Sequence, residues 1–72
     1  MVPNKPLREA FERSGLTAKD LSAFMGIKNG GDIKRTLGIH KDSEGRCREE
    51  IDESIALRYI RAMNLDPIDF DL

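Results

Sequence analysis

Apolar residues return along this chain three and four positions apart, the period of amphipathic helices rather than of strands. Between Lys5 and Arg13 the face is Leu7, Ala10 and Phe11, and Gly15 supplies a stop. Pro3 and Pro6 suit the front of that helix, where the first N–H groups need no partner. A second face, Leu21, Phe24 and Met25, runs to Gly26. Its start is Thr17-Ala18-Lys19-Asp20, a capping box in which Thr17 caps and Asp20 reaches back to the Thr17 N–H. Leu16 and Leu21 stand where a hydrophobic staple would place them.

The third face is short: Ile33 and Leu37, four apart, with Gly38 to end it and Ile39 to pack back. Two starts fit it. Asn29-Gly30-Gly31-Asp32 reads as a second capping box, with both glycines in the first turn; or Asn29-Gly30 is a loose turn and the helix begins at Asp32. The last long face, roughly Glu53 to Met63, uses Ile51, Ile55, Ala56, Tyr59, Ile60 and Met63. Asp52 caps it, Asn64 closes it in the left-handed region, and Asp66-Pro67 opens one short turn that brings Ile68 and Phe70 back to the core. Residues 40–50, HKDSEGRCREE, are polar and form either a loop or a small wing-like hairpin around Asp42–Gly45. The pattern therefore predicts one all-α domain over residues 1–72, a compact four-helix unit with a short C-terminal turn. A core of this size contributes only ~3–5 kcal/mol, so caps and turns must carry part of the stability.

Charge changes this picture more than composition does. The net charge is −1, but residues 26–48 carry six basic and three acidic groups, a net of +3, and residues 49–72 carry two basic and seven acidic, a net of −5. The basic middle coincides with the third helix and the polar loop. There Lys34 and Arg35 avoid the buried stripe. They serve either as groove contacts, since arginine pairs bidentately with guanine O6 and N7, or as a solvated face. Asn29 either reads adenine or only caps, and Thr36 touches a thymine methyl or fills space. Lys28 and the bare N–H groups of Gly30 and Gly31 are candidates for phosphate at a helix start. Lys41, Arg46 and Arg48 form a second basic group suited to backbone phosphates, diluted by Asp42, Glu44, Glu49 and Glu50. Off the core stripe of the last helix, Leu57 and Arg61 mark a dimer or partner contact, or plain exposed surface.

Other chemistries lack their residues. Cys47 is the only cysteine and His40 the only histidine, so neither a disulfide within the chain nor a zinc cluster is expected. Cys47 has no base near it in sequence. Gly30-Gly31 lacks the Lys-Ser/Thr sequel of a nucleotide-binding loop. The expectation is a protein without catalysis, metal, cofactor or small-molecule substrate. With no long apolar run in MVPNKPLREAF and an unpaired thiol, the expected setting is a reducing cytoplasm, away from membranes.

The stretch LTAKDLSAFMGIKNGGDIKRTLG resembles the helix-turn-helix of small phage and bacterial repressors, and the closing IALRYIRAMNLDPIDF resembles the ending of the same family. Together they cover residues 16–72, and the layout is most similar to short helix-turn-helix proteins of actinobacterial phages. Leu21 matches the apolar scaffold position, Ser22 stands where alanine is usual, Met25 precedes the turn, Gly26 is the turn glycine and Ile27 the apolar residue after it. The recognition helix departs from the pattern. Ile33 falls seven residues after the glycine rather than six, and Leu37 four after Ile33 rather than three. Either the turn is one residue longer or Gly30-Gly31 loops out. The resemblance implies sequence-specific binding of double-stranded DNA in the bacterial host cell, with the third helix in the major groove, as a repressor-like or accessory transcriptional regulator. A symmetric dimer or a protein partner would complete so small an interface. The rival expectation is a protein-interaction module that keeps the fold without using it on DNA.

Overall fold

A computed structural model describes residues 1–72. Four helices follow one another: α1 (Lys5–Ser14), α2 (Ala18–Met25), α3 (Gly30–Thr36) and α4 (Glu53–Ala62). A 3-10 turn, Pro67–Phe70, ends the fold. The chain also forms a two-stranded antiparallel sheet, β1 (Val2–Pro3) with β2 (Glu50–Ile51), which the periodicity did not predict. No helix is long and apolar enough to cross a membrane.

The local signals act as expected. Thr17 Oγ1 accepts from the Asp20 N–H at 3.1 Å, and the Thr17 N–H donates to Asp20 Oδ2 at 3.1 Å, completing the capping box of α2. Gly26 ends α2 at φ 70°, and the Ile27 N–H reaches back to the Ser22 carbonyl. Asp52 accepts from the Ser54 N–H at the start of α4, and Asp66 from the Ile68 N–H at the 3-10 turn. Asn64 sits at φ 59°, and the Leu65 N–H bonds the Ile60 carbonyl behind it.

The core is Leu7, Phe11, Leu21, Ile33, Leu37, Ile51, Tyr59, Ile60 and Met63, with Ala10, Ala18 and Ala56 at the close approaches. Three residues placed in apolar faces by their spacing lie outside it. Phe24 is 65% exposed, Ile55 39% and Ile68 75%. Each is at the edge of its stripe, and a chain this short has too few opposing elements to cover the edges. Phe70 is half-buried against the core.

Two polar side chains tie the long-range contacts. Asn4 is fully buried; its Nδ2 donates to the Thr36 carbonyl at 2.8 Å and the Arg48 carbonyl at 3.1 Å, and its N–H donates to the Glu49 carbonyl at 2.8 Å. Arg8 Nη1 donates to the Leu37 and Gly38 carbonyls at 3.3 and 3.4 Å, satisfying the C-terminal end of α3. The N-terminal segment thus clamps both the end of α3 and the stretch entering β2.

Of the two alternatives for residues 40–50, the chain takes the loop, closed by a tight turn at Asp42–Arg46, and not the wing. Asp42 and Arg46 are joined by an N–H to carbonyl bond of 2.8 Å, and Asp42 Oδ1 accepts from the Glu44 and Arg46 N–H groups. No strands flank it: the only partner of Glu50–Ile51 is Val2–Pro3. Apolar alternation is missing on both sides of the turn, so a hairpin there would have no face to bury.

Three cap and turn carboxylates are held below the ordinary aspartate value of 3.8. Asp20 is lowered by the Thr17 N–H and hydroxyl, Asp42 by the Arg46 N–H, and Asp52 by the Ser54 hydroxyl and N–H. A depressed folded-state value means that the stabilisation is present above the unfolded value and is lost as pH falls through the folded one. The melting temperature should therefore hold between about pH 5 and 7 and fall below about pH 4. Thermal melts by circular dichroism check this, and Asp20→Asn should show a shallower acid decline than wild type.

Candidate nucleic-acid interface

α2 and α3 pack together through Ala18, Leu21 and Ile33, joined by the four residues Gly26–Asn29. The Gly30-Gly31 pair does not loop out; it forms the first turn of α3, so the longer connection accounts for the displaced Ile33. Asn29 caps this helix, its Oδ1 accepting from the Gly31 N–H at 2.9 Å. The reciprocal half of the proposed capping box is absent, because Asp32 pairs instead with Arg35 Nη2 one turn on.

This arrangement sorts the sequence candidates. Asn29 uses its side-chain oxygen on the cap, and the Gly31 N–H is the donor it holds. Gly30 faces α2: a β-carbon there would meet Ala18 backbone and side-chain atoms at 3.5 Å, so the glycine serves the close packing of the two helices. Of the two N–H groups proposed for phosphate, that of Gly31 is thus held by the Asn29 cap. Lys34 and Arg35 are both half-buried on α3. The Arg35–Asp32 pair has side chains 42% and 53% exposed. An ion pair so open to solvent is worth under about 1 kcal/mol, so the guanidinium exchanges it readily for another acceptor.

Beside α3 the chain leaves a polar groove of 480 Å³ between the helix and the 41–48 segment. Arg35, Lys41 and Arg48 line it, together with Asp32, Asp42 and Thr36, and no apolar side chain does. Arg48 Nε stands 4.0 Å from Asp42. Three of the predicted cations are thus brought together. Lys28 and Lys34 lie outside the groove walls, and Arg46 contributes its backbone to the Asp42 turn. Lys28, Lys34, Lys41 and Arg46 have no carboxylate partner. Within the groove three cations stand against two carboxylates, Asp32 and Asp42.

The residues that hold this face were not among the sequence candidates. Asn4 fixes the end of α3 to Arg48, and Arg8 closes its C-terminus. Tyr59 backs α3 from α4. Burial pushes its phenol above the ordinary value of 10.0, with the neighbouring Thr36 side chain opposing the shift. Thr36 is half-buried and lines both the polar groove and the depression beside Tyr59.

The interaction candidates of α4 separate. Leu57 is half-buried on the flank away from Ile55. Arg61 instead borders Phe24, Met25, Arg58 and Ala62, where α2 meets α4. Comparison of the chain with protein-family models, with curated proteins and with solved structures gives no match.

Proposed function

We propose that this protein binds double-stranded DNA as a small transcriptional regulator of a bacterial host cell, repressor-like or accessory, without catalysis. The observation that carries the reading is the α2–Gly26–α3 unit with partner-free Lys28 and Lys34 on it and the Arg35, Lys41 and Arg48 groove beside it. In this reading α3 enters the major groove. Lys34 and Arg35 reach base edges, while Lys28, Lys41, Arg46 and Arg48 neutralise phosphates and set the register. Asn29 caps the helix and leaves base contact to the two cations. Occupancy of the site would block or recruit polymerase.

Arg35 carries the specificity. On a duplex selected by the wild-type protein, Arg35→Ala should bind about 10-fold or more weakly while its affinity for a scrambled duplex changes little. Competition binding of the two duplexes measures this, and an equal loss on both would remove Arg35 from base readout.

A second reading, a helix-turn-helix module that docks on a protein, is favoured by the exposed Phe24 beside Arg61 and by the acidic last third of the chain.

A further inference from the structure

Ile51, Ile55, Arg58 and Ala62 recur at i, i+4, i+7 and i+11, which puts them on one side of α4 and its entry. That side does not face the core helices alone. Ile55 is 39% exposed, and Phe24 of α2, 65% exposed, stands beside Arg58 and Ala62. Two adjoining depressions share Met25 and Arg58. One is bounded by Phe24, Arg61 and Ala62; the other continues over Ile27, Ile51 and Ile55 to Glu49, Glu50 and Asp52, with Met1 and Arg48 beside those carboxylates. The result is one strip, apolar along its middle, with a basic end and an acidic end.

The basic charges of one end and the acidic charges of the other form no ion pair within the chain. Arg58 and Arg61 make no ion pair, and neither do Glu49, Glu50 and Asp52. The terminal ammonium and Arg48 also stand at the acidic end, and three carboxylates against two cations leave it negative by one charge. Asp52 and Arg61 are nine residues apart along α4, about 14 Å, beyond the ~8 Å screening length of physiological salt, so they do not neutralise each other. A two-fold axis through the middle of such a strip sets the basic end of one copy against the acidic end of the other, twice. It also lays the apolar middles, Phe24 and Ile55 included, on each other. Self-complementarity of this kind is what an isologous interface requires.

We infer that this α2–α4 strip is a homodimer interface: its occupant is a second copy of this chain in antiparallel, two-fold apposition. A standard interface takes at least about 600 Å² from each partner, roughly an eighth of the 4932 Å² this chain exposes. The inference does not depend on DNA binding, and its test contains no DNA.

Sedimentation equilibrium of the full chain over a wide concentration range reads the association directly. Wild type should dimerise, and Phe24→Asp should raise the dissociation constant about 10-fold or more. Ile68→Asp, at the 75% exposed residue of the 3-10 turn, should leave it unchanged. Arg61→Glu should weaken the dimer, and adding Glu50→Arg to it should restore association, since reversal of both ends keeps the strip self-complementary. Circular dichroism verifies that each variant is folded; all four positions are exposed. Three results would each overturn the inference. They are a wild-type monomer throughout the range, an equal effect of Phe24→Asp and Ile68→Asp, and a double reversal no better than Arg61→Glu alone. A monomer that instead binds an acidic peptide would assign the strip to a heterologous partner.

Discussion

Gly38→Ala should leave the protein largely unfolded at 25 °C. Gly38 ends α3 at φ +78°, a left-handed conformation that costs a residue with a β-carbon about 1–2 kcal/mol. Space is the larger obstacle. A β-carbon at Gly38 would stand 2.2 Å from the Arg48 carbonyl oxygen and 2.8 Å from Arg8 Nη1. The arginine tip can swing aside, though it then abandons the Leu37 and Gly38 carbonyls. The Arg48 carbonyl has no such freedom, because Asn4 Nδ2 holds it at 3.1 Å. Relief requires the whole stretch entering β2 to move, which breaks the Asn4 clamp as well. A total cost of about 3 kcal/mol or more follows, close to all that a core of this size supplies. Gly45→Ala is the control. Its φ is +77° but no atom lies within 4 Å of the added carbon, so only the backbone term of about 1 kcal/mol remains. Chemical denaturation of the two variants separates strain from collision. A Gly38→Ala protein as stable as Gly45→Ala would mean that the 36–50 connection is not held as described.

The second large effect is on binding. Lys34→Ala/Arg35→Ala should lower affinity for duplex DNA about 100-fold at moderate salt, the sum of one base contact at ~1–3 kcal/mol and one phosphate or base contact by lysine. Folding should be little changed, because Lys34 makes no ion pair and the Arg35–Asp32 pair is solvent-exposed. The variant also bares Asp32, a carboxylate now unpaired on the face that would meet DNA, which adds repulsion to the lost contacts. An affinity loss below about threefold would place the binding energy elsewhere, with Lys41 and Arg46 the next residues to remove.

How much of this was legible in the sequence follows from how far each interaction reaches. The caps at Thr17, Asp52 and Asp66, the left-handed Asn64 and the stops at Gly15, Gly26 and Gly38 are all settled within about five residues. The four helices and the terminal turn come from such signals together with the 3.6-residue period. The pairing of Val2–Pro3 with Glu50–Ile51 spans most of the chain, and strands of two residues leave no alternation to detect. Asn4, just before α1, carries no local signal of its role. Its reach to Thr36 and Arg48 depends on the fold already being formed. The same holds for Arg8 at the end of α3. Phe24 and Ile55 were misplaced for a different reason: periodicity identifies a helix face but not whether anything covers its edge.

The cations of the candidate site were legible as a cluster because composition alone shows it, net +3 within residues 26–48. Their division was not. Only tertiary structure draws Arg35, Lys41 and Arg48 around one groove, sets Asp32 against Arg35, and fills the Gly30 side of α3 with Ala18. The unusual spacing after Gly26 was visible as a departure from the helix-turn-helix pattern. Its resolution, glycines inside the helix after a four-residue connection, was one of two alternatives until the backbone was in hand.

The central claim is that this face binds duplex DNA through its phosphates as well as its bases. Fluorescence anisotropy of the wild-type protein with a pool of randomised duplexes, titrated with salt, tests it most directly. Four partner-free cations and the two in loose pairs predict a logarithmic salt slope of about −3 to −5. Binding that steepens in this way as salt is lowered, and that permits a preferred sequence to be selected from the pool, is the expected result. No binding at low salt by folded protein at high concentration would contradict the DNA reading and leave the protein-docking module in its place.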